Sequence, residues 1–177
     1  MQIVLYIASS LDGYIARPDG SIDWLTSIPP SKDGDYGYSE LLAEIDSLIM
    51  GRKTYDDLIR FDMGWPYTDY RTYVVTTNAL TTINSPNTQL IHGDINKAVE
   101  KIRSDSGKNI WLVGGSELVT YFLNHRLIDK ITLSTIPVLL GSGVPLFTKI
   151  QGEFYLQLME SKSYETGVIN ATYSIKY

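Results

Sequence analysis

The sequence predicts a single α/β domain that spans residues 1–177. Short apolar or β-branched runs alternate with segments whose apolar residues recur at helical spacing, which is the pattern of a sheet covered by helices. The first run, residues 3–8, is continuously apolar, as expected of a strand buried on both faces. Near the other end, residues 154–164 and 168–177 form two long strand-like runs separated by three turn residues, which predicts a β-hairpin.

The first two helices are predicted from apolar spacing and from a capping pattern. Leu41, Leu42 and Ile45 recur at helical spacing and indicate a helix of about ten residues. Thr54 is expected to cap the second helix, because Asp57 follows three residues later and completes a capping box. A short strand is expected between these two helices, since the chain there is apolar and is followed by a glycine.

Two further amphipathic helices and the inner strands complete the pattern. Apolar residues recur at helical spacing over residues 95–102 and again over residues 118–123. Gly107 follows the first of these helices and is expected to end it in the usual C-terminal position. The inner strands are predicted at residues 47–50, 72–76, 89–91, 110–113 and 130–136. The chain is thus expected to contain about eight strands and about four helices.

The composition excludes several classes of protein. Hydrophobic residues make up 44% and charged residues 20% of the chain, which is globular rather than disordered usage. The formal net charge of −5 argues against a broad nucleic-acid-binding surface. The chain has no cysteine, which excludes disulfides, a thiol nucleophile and a thiolate metal site. Its two histidines, His92 and His125, are far apart in sequence, so no metal site is expected.

The chain start and the lengths of the apolar runs bear on location. Residues 1–8 are apolar, but they are short, lack a basic leader and run directly into a polar turn. We therefore expect a first strand rather than a signal peptide. No apolar run reaches about 18 residues, so no membrane span is expected. The expected location is the cytoplasm.

A pair of glycines follows one of the buried strands. Gly114, Gly115 and Ser116 stand where that strand ends and the next helix begins. Two glycines there would let the backbone approach a phosphate closely, and the helix start offers free amides and a partial positive charge. The spacing is not that of a complete dinucleotide fingerprint, so a tight turn without a ligand explains the pair equally well.

Two other strand ends are also polar. Arg52 and Lys53 follow Gly51 at a helix start, where the helix dipole prefers anions to cations. Contact with a bound anion would explain these two cations, and two solvated cations on the protein surface are the alternative. The strand at residues 72–76 ends in small hydrogen-bonding side chains that continue to residue 78, a common composition for turns. Three such ends in one α/β sheet favour a ligand that lies across the sheet edge.

Candidate proton donors and nucleophiles are few. Asp35 precedes a helix, where its commonest role is capping. Trp24 lies in a loop, where it could cover a flat ligand or fill the edge of the core. No order of serine, histidine and acid suggests a catalytic triad. This lack of an obvious nucleophile or metal site fits hydride chemistry, in which a bound cofactor carries the reaction.

These motifs resemble those of a known family. Residues 51–55 resemble the Gly-Arg-basic-Thr-aromatic motif of dihydrofolate reductases, and residues 74–78 and 113–115 are similar to their other cofactor segments. Residues 8–16 and 136–143 look more like the C-terminal reductase domain of the bifunctional riboflavin-biosynthesis deaminase-reductase. The two families share a fold, and the resemblance runs in order along nearly the whole chain.

The resemblance implies a dihydrofolate-reductase-like three-layer fold with NADPH laid across the edge of the sheet. The fold would contain a mixed, mostly parallel eight-stranded sheet, flanking helices and a C-terminal β-hairpin. By matched position, the adenosine 2′-phosphate and pyrophosphate would be held at the three polar strand ends, and Ala8 and Ile15 would meet the nicotinamide amide. The implied cofactor-binding residues are Ala8, Ile15, Gly51, Arg52, Lys53, Thr54, Thr76, Thr77, Asn78, Val113, Gly114, Gly115, Ser116 and Glu117.

The resemblance also implies a reaction, although some positions depart from it. Riboflavin-pathway reductases carry Lys and Glu where this chain has Tyr14 and Val113, which counts against their phosphoribosylamino-uracil substrate. Asp35 falls at about the position of the dihydrofolate reductase acid, and Ser134 stands where that family has a threonine that orients the acid. We expect hydride transfer to a C=N carbon of a pterin-like or pyrimidine-like ring, with these two residues positioning the proton.

The expected substrate contacts and partners complete this hypothesis. Trp24 is expected to close a loop over the active site, and Tyr36 beside Asp35 is the other expected substrate contact. The family implies a homodimer, with no nucleic-acid or membrane partner. One alternative is the riboflavin-pathway reductase itself, and a second is a non-catalytic NADPH-binding sensor. A purely structural protein would leave Arg52 and the glycine pair unexplained.

Overall fold

The computed structural model of the chain describes residues 1–60, 64–78 and 82–177. The strands in these ranges are β1 (Ile3–Ser10), β2 (Tyr14–Ala16), β3 (Ile45–Gly51), β4 (Arg71–Val75), β5 (Thr88–Ile91), β6 (Asn109–Gly114), β7 (Lys130–Ile136), β8 (Val144–Pro145), β9 (Tyr155–Ser163) and β10 (Ile169–Lys176). The helices in these ranges are α1 (Asp23–Thr26), α2 (Tyr38–Glu44), α3 (Arg52–Arg60), α4 (Ile95–Asp105) and α5 (Ser116–Asn124). Among these helices, none is both long and apolar enough to cross a membrane.

Eight of the strands form one mixed sheet in the order β5-β4-β3-β6-β1-β7-β10-β9. The six strands from β5 to β7 are parallel to their neighbours, and β10 is antiparallel to both β7 and β9. β2 and β8 pair separately as a small antiparallel ladder. The predicted mostly parallel eight-stranded sheet and its C-terminal hairpin are therefore confirmed.

The three layers follow from the alternation of side chains along the central strands. In β1, Ile3 and Leu5 face a core cluster that α4 and α5 cover, whereas Val4 and Tyr6 face a cluster on the side of α2 and α3. This alternation is the period of two that a strand imposes, and it divides the apolar residues between the two faces. Full burial of Leu5 and nearly full burial of Val4 explain why the strand appears continuously apolar in the sequence.

Helix α3 begins earlier than the capping pattern predicts. β3 ends at Gly51 and α3 starts at Arg52, so no residue is left between them to serve as an external cap. Thr54 is consequently the third residue of the helix, and the prediction that it caps α3 is wrong. Asp57 forms a 3.4 Å ion pair with Arg60 instead of completing a capping box.

Other differences concern element ends and short elements. α2 has seven residues rather than about ten, because Ile45 is already extended and begins β3. α4 has Ser106 as its C-cap, so Gly107 follows the helix directly as predicted, and its amide donates to the Asp46 carboxylate at 2.7 Å. β2, β8 and α1 have two to four residues each and were not predicted, since such short segments cannot show a periodicity.

Candidate active site

The carboxyl ends of the parallel strands form a row at one edge of the sheet. β4, β3, β6, β1 and β7 are adjacent in that order, and the ladder pairs Val75 with Gly51, and Ala8 with Ser134. With about 4.8 Å between strands, the row from β4 to β7 is about 19 Å long. The strand ends singled out in the sequence therefore lie side by side at one edge of the sheet.

The middle of this row is a topological switch point. β3 and β6 are adjacent, but α3 follows β3 on one face of the sheet and α5 follows β6 on the other. Open α/β sheets bind ligands in the crevice that such diverging connections leave. The first turns of both helices, with their free amides and positive dipole ends, lie beside this crevice.

The glycines allow the two helix starts to approach each other closely. A Cβ atom on Gly51 would lie 3.8 Å from the Gly114 oxygen and from the Gly115 nitrogen. A Cβ atom on Gly115 would lie 3.3 Å from the Thr54 hydroxyl. The peptide bond between Gly114 and Gly115 is cis. Side chains at these positions would fill the space between the helices, so the glycines leave bare backbone facing the crevice.

Ser116, at the start of α5, has its side chain engaged with the protein. Its hydroxyl donates to the Pro145 carbonyl in β8 at 2.5 Å. Asp12 holds the loop before β8 by accepting hydrogen bonds from the Leu140 and Gly141 amides at 3.1 and 2.7 Å. Ser116 thus anchors β8 to the glycine junction, and only its backbone is left to meet a ligand.

Arg52 lies at the β4 end of the row. Its Nε donates to Asp56 at 2.7 Å and its Nη1 donates to the Thr82 carbonyl at 3.0 Å. The hydrogen bond to Asp56 raises the pKa of Arg52, which keeps the guanidinium charged. Since Thr82 lies between β4 and β5, Arg52 contacts the connection between these two strands.

The neighbours of Thr76 and Lys53 were not evident from sequence. The Nδ1 atom of His92 lies 3.2 Å from the Thr76 carbonyl, which brings an imidazole ring to this end of the row. The Lys53 ammonium lies 3.7 Å from where a Cβ of Gly20 would be, so Lys53 extends under the loop between β2 and α1. The Thr76 hydroxyl accepts from the Asn78 amide at 3.1 Å.

The other end of the row is partly apolar. Ala8 packs against a buried cluster that contains Trp24 and Tyr164, and Ile15 packs against the core on the α4–α5 face. Trp24 is only 6% exposed, and its indole nitrogen has no hydrogen-bond partner in the described part of the chain. The structure therefore places Trp24 in the core edge beside Ala8 rather than on an exposed loop.

Asp35 lies beside the first turn of α2. It is exposed, and its carboxylate accepts from the hydroxyl and the amide of Ser39 at 2.5 and 2.9 Å. The hydrogen bond from the Ser39 hydroxyl, with the one from the amide, lowers the pKa of Asp35. The carboxylate is therefore ionised at neutral pH, where it can accept a hydrogen bond but has no proton of its own to donate.

A buried polar network, not found from the sequence, surrounds Ser134. The Tyr6 hydroxyl donates to the Tyr36 carbonyl at 3.0 Å, and the side-chain amide of Asn170 donates to the same oxygen. Asn170 is directly opposite Ser134 in the ladder between β10 and β7. Burial raises the pKa of Tyr6, although the nearby Ser134 hydroxyl opposes this shift. An asparagine near the start of a predicted strand was the available signal for this network.

A cavity of about 310 Å³, here called the α2 cavity, adjoins this network. It lies between α2 and the strands β1, β7, β10 and β9. Its lining residues are Val4, Tyr6, Tyr36, Gly37, Glu40, Leu41, Glu44, Lys130, Thr132, Glu160, Lys162, Tyr164, Asn170 and Thr172. Within the described ranges, no three His, Cys, Asp or Glu side chains are grouped so that they could hold a metal ion.

The strand order and the row of strand ends define a dihydrofolate-reductase-like domain. A dihydrofolate reductase from Enterococcus faecalis, solved in complex with NADP(H), is 14% identical to this chain with a TM-score of 0.65. The match covers 99% of this chain and 97% of that one, and at this identity it shows the shared fold.

The family is shown more specifically by sequence. The model of the RibD C-terminal domain matches residues 1–170, and the chain belongs to this family. YwjB of Bacillus subtilis, a protein described as uncharacterized, is 38% identical over 93% of each chain. A protein from Shewanella sp. PV-4 that is named for riboflavin biosynthesis is 31% identical, with a TM-score of 0.90 and full coverage of both chains. The resemblance to both reductase families is thus confirmed.

Proposed function

We propose that the protein is a cytoplasmic, NADPH-dependent reductase that passes hydride to a pterin-like or pyrimidine-like ring. The observation that carries the proposal is the glycine junction at the switch point, where two helix starts and bare backbone meet between β3 and β6. Membership of the RibD C-terminal domain family supports it. So does the fold shared with a dihydrofolate reductase that was solved with NADP(H).

The residues of the row fit an extended dinucleotide. The row is about 19 Å long, and its β4 end carries Arg52, Thr76, Thr77 and Asn78, which we assign to the 2′-phosphate. We assign the pyrophosphate to the helix starts, through the backbone of residues 114–117 and of residues 51–54. The nicotinamide is assigned to the carboxyl end of β1, towards the β7 end of the row, and the residues assigned to it are Ala8, Ile15 and Val113.

The reduced nicotinamide supplies the hydride, and the chain's own residues would orient the ring and position a proton. Ser134 lies opposite Ala8 at the end of the row where the ring would lie, and Ala8 and Tyr36 both pack against the cluster that contains Trp24. Asp35 is ionised, so we propose that with Ser134 it holds a water or a ring N–H rather than giving up its own proton. In this arrangement the proton would come from solvent, and Asp35 and Ser134 would hold the water or the ring in place.

The proposal is tested by NADPH oxidation against a substrate panel. Stopped-flow absorbance with dihydrofolate, other pterins and aminopyrimidines should show oxidation with at least one pterin or pyrimidine. Turnover confined to 5-amino-6-(5-phosphoribosylamino)uracil would favour the riboflavin-pathway alternative, which the family and the Shewanella relative support. Tight NADPH binding without turnover on any member would favour the sensor alternative.

The Arg52→Ala variant should distinguish the two nicotinamide cofactors. A charge-assisted Arg–phosphate interaction contributes about 1.5–3 kcal/mol, so NADPH affinity should fall roughly tenfold to a hundredfold. NADH lacks the 2′-phosphate, and its affinity should change little. Fluorescence titration with both cofactors measures this difference, and equal losses for the two would remove Arg52 from the 2′-phosphate site.

We also propose that the protein is a homodimer formed through the outer strands. β9 is exposed along its whole length, and Leu156, Leu158 and Met159 are 45%, 53% and 61% exposed. Ile169 of the neighbouring strand is 50% exposed, so apolar side chains extend across the hairpin. An uncovered apolar edge of this kind favours association with another chain.

The Leu158→Glu variant should separate the protomers. A carboxylate would have to be buried without a partner at the proposed interface, which is strongly unfavourable. Light scattering coupled to gel filtration should give the dimer mass for the wild type and the monomer mass for the variant. A wild-type protein that elutes as a monomer at every concentration would contradict the homodimer.

A further inference from the structure

The α2 cavity has an excess of carboxylates. Glu40 and Glu44 of α2 and Glu160 of β9 line it, against the ammonium groups of Lys130 and Lys162. Within the described residues, no hydrogen bond or ion pair engages any of the three carboxylates. The Lys162 ammonium is already held, because it donates to the Asp33 carbonyl at 3.0 Å and lies 4.7 Å from the centre of the Tyr164 ring.

An unused hydrogen-bond acceptor lies in the wall of the same cavity. Asn170 is only 8% exposed, and its side-chain nitrogen is committed to the Tyr36 carbonyl. Its Oδ1 atom has no partner in the described part of the chain. A buried acceptor without a partner costs free energy, so a group that donates an N–H or O–H to it would be stabilised there. The nearby hydroxyls of Thr132 and Thr172 are bonded to each other at 3.0 Å.

The cavity continues from the end of the row where the ring is proposed to lie. Tyr6 is two residues before Ala8 on β1, and Thr132 is two residues before Ser134 on β7. Residues two apart on a strand point to the same face about 7 Å from each other. Tyr6 and Thr132 both line the cavity. A ring held at Ala8 and Ser134 could therefore extend a substituent directly into it.

We propose that the α2 cavity binds a positively charged amino substituent of the substrate. The inference rests on the proposed reductase function for the position of the ring. An ammonium group supplies the N–H donor that Asn170 lacks and the positive charge that the three glutamates favour. An anionic tail, such as a phosphoribosyl or glutamyl group, would meet like charges there. The anionic groups of the ligands would then bind at the Arg52 end of the row. The cationic substituent of the substrate would bind in the α2 cavity.

The experiment compares probes that share a ring and differ in the charge of one substituent. The first pair is 5-(aminomethyl)uracil and uracil-5-carboxylate, and the second is 6-(aminomethyl)pterin and pterin-6-carboxylate. Calorimetric titration should show that the amine of at least one pair binds at least about tenfold more tightly than its carboxylate partner. Glu44→Gln and Glu160→Gln should each reduce that ratio several-fold, and both sites are exposed, so the variants should fold.

The control is Glu100→Gln, which makes the same change of charge on α4, on the opposite face of the sheet. Glu100→Gln should leave the ratio of the amine affinity to the carboxylate affinity unchanged. The proposal is overturned if the carboxylate probes bind as tightly as the amines, or if the two cavity variants behave like Glu100→Gln. A parallel NADPH titration separates the two proposals. If NADPH does not bind but the amine preference persists, the reductase function fails and the cavity remains an amine site.

Discussion

The Gly115→Ala variant should bind NADPH at least about a hundredfold more weakly than the wild type while keeping its fold. The new methyl group would lie 3.3 Å from the Thr54 hydroxyl, in the gap between the two helix starts where the pyrophosphate is proposed to lie. Gly115 has an extended backbone, with φ −82° and ψ −169°, which alanine adopts without strain. The loss should therefore appear in a NADPH titration and not in the circular dichroism spectrum.

Gly107→Ala is the matched control for this variant. Gly107 also has a backbone outside the left-handed region, and a methyl there would lie 3.5 Å from an Asp46 carboxylate oxygen. It follows α4, at the opposite edge of the sheet from the glycine junction. NADPH affinity should be unchanged in Gly107→Ala. If Gly115→Ala binds NADPH as well as this control does, the glycine pair is only a tight turn.

The Asp35→Asn variant should reduce turnover by roughly 10²–10⁴-fold while NADPH affinity stays within a factor of a few. The amide keeps the size of the carboxylate and much of its ability to accept from Ser39, so stability should change little. What it loses is the negative charge that is proposed to hold a water or a ring N–H. Single-turnover rates measured with saturating NADPH separate this loss from any change in cofactor binding.

The pH profile of a neighbouring variant tests the same assignment. Ser39→Ala removes the hydroxyl that lowers the pKa of Asp35, so that pKa should rise. Activity that needs ionised Asp35 is present above its pKa and is lost as the pH falls through it. In Ser39→Ala the acidic limb of the turnover profile should therefore move to higher pH, with the plateau near the wild-type value. Wild-type turnover in Asp35→Asn would show that another group positions the proton.

The long elements could be predicted from the sequence because burial imposes a pattern on them. β1, β7 and the terminal hairpin are found within a few residues of their predicted bounds, since each strand has enough residues to show apolar continuity or alternation. The start of α3 could not be predicted in this way. Thr54 and Asp57 have the spacing of a capping box, but β3 runs directly into the helix and leaves no position for the cap.

The candidate site was only partly predictable for a related reason. The carboxyl ends of the strands converge in any parallel sheet, so the sequence alone was enough to group Arg52, Thr76 and Gly115. Asn170 could not be grouped with them, because its place opposite Ser134 depends on the register of β10 against β7, two antiparallel strands that are not consecutive in the chain. Such cross-strand neighbours cannot be inferred from local spacing.

The row of strand ends is proposed to bind NADPH through its 2′-phosphate and pyrophosphate. Parallel fluorescence titrations of the wild-type protein with NADPH and NADH test it most directly, because neither requires the substrate to be known. We expect saturable binding of both, with NADPH at least about tenfold tighter. Absence of NADPH binding, or equal affinity for the two cofactors, would contradict it.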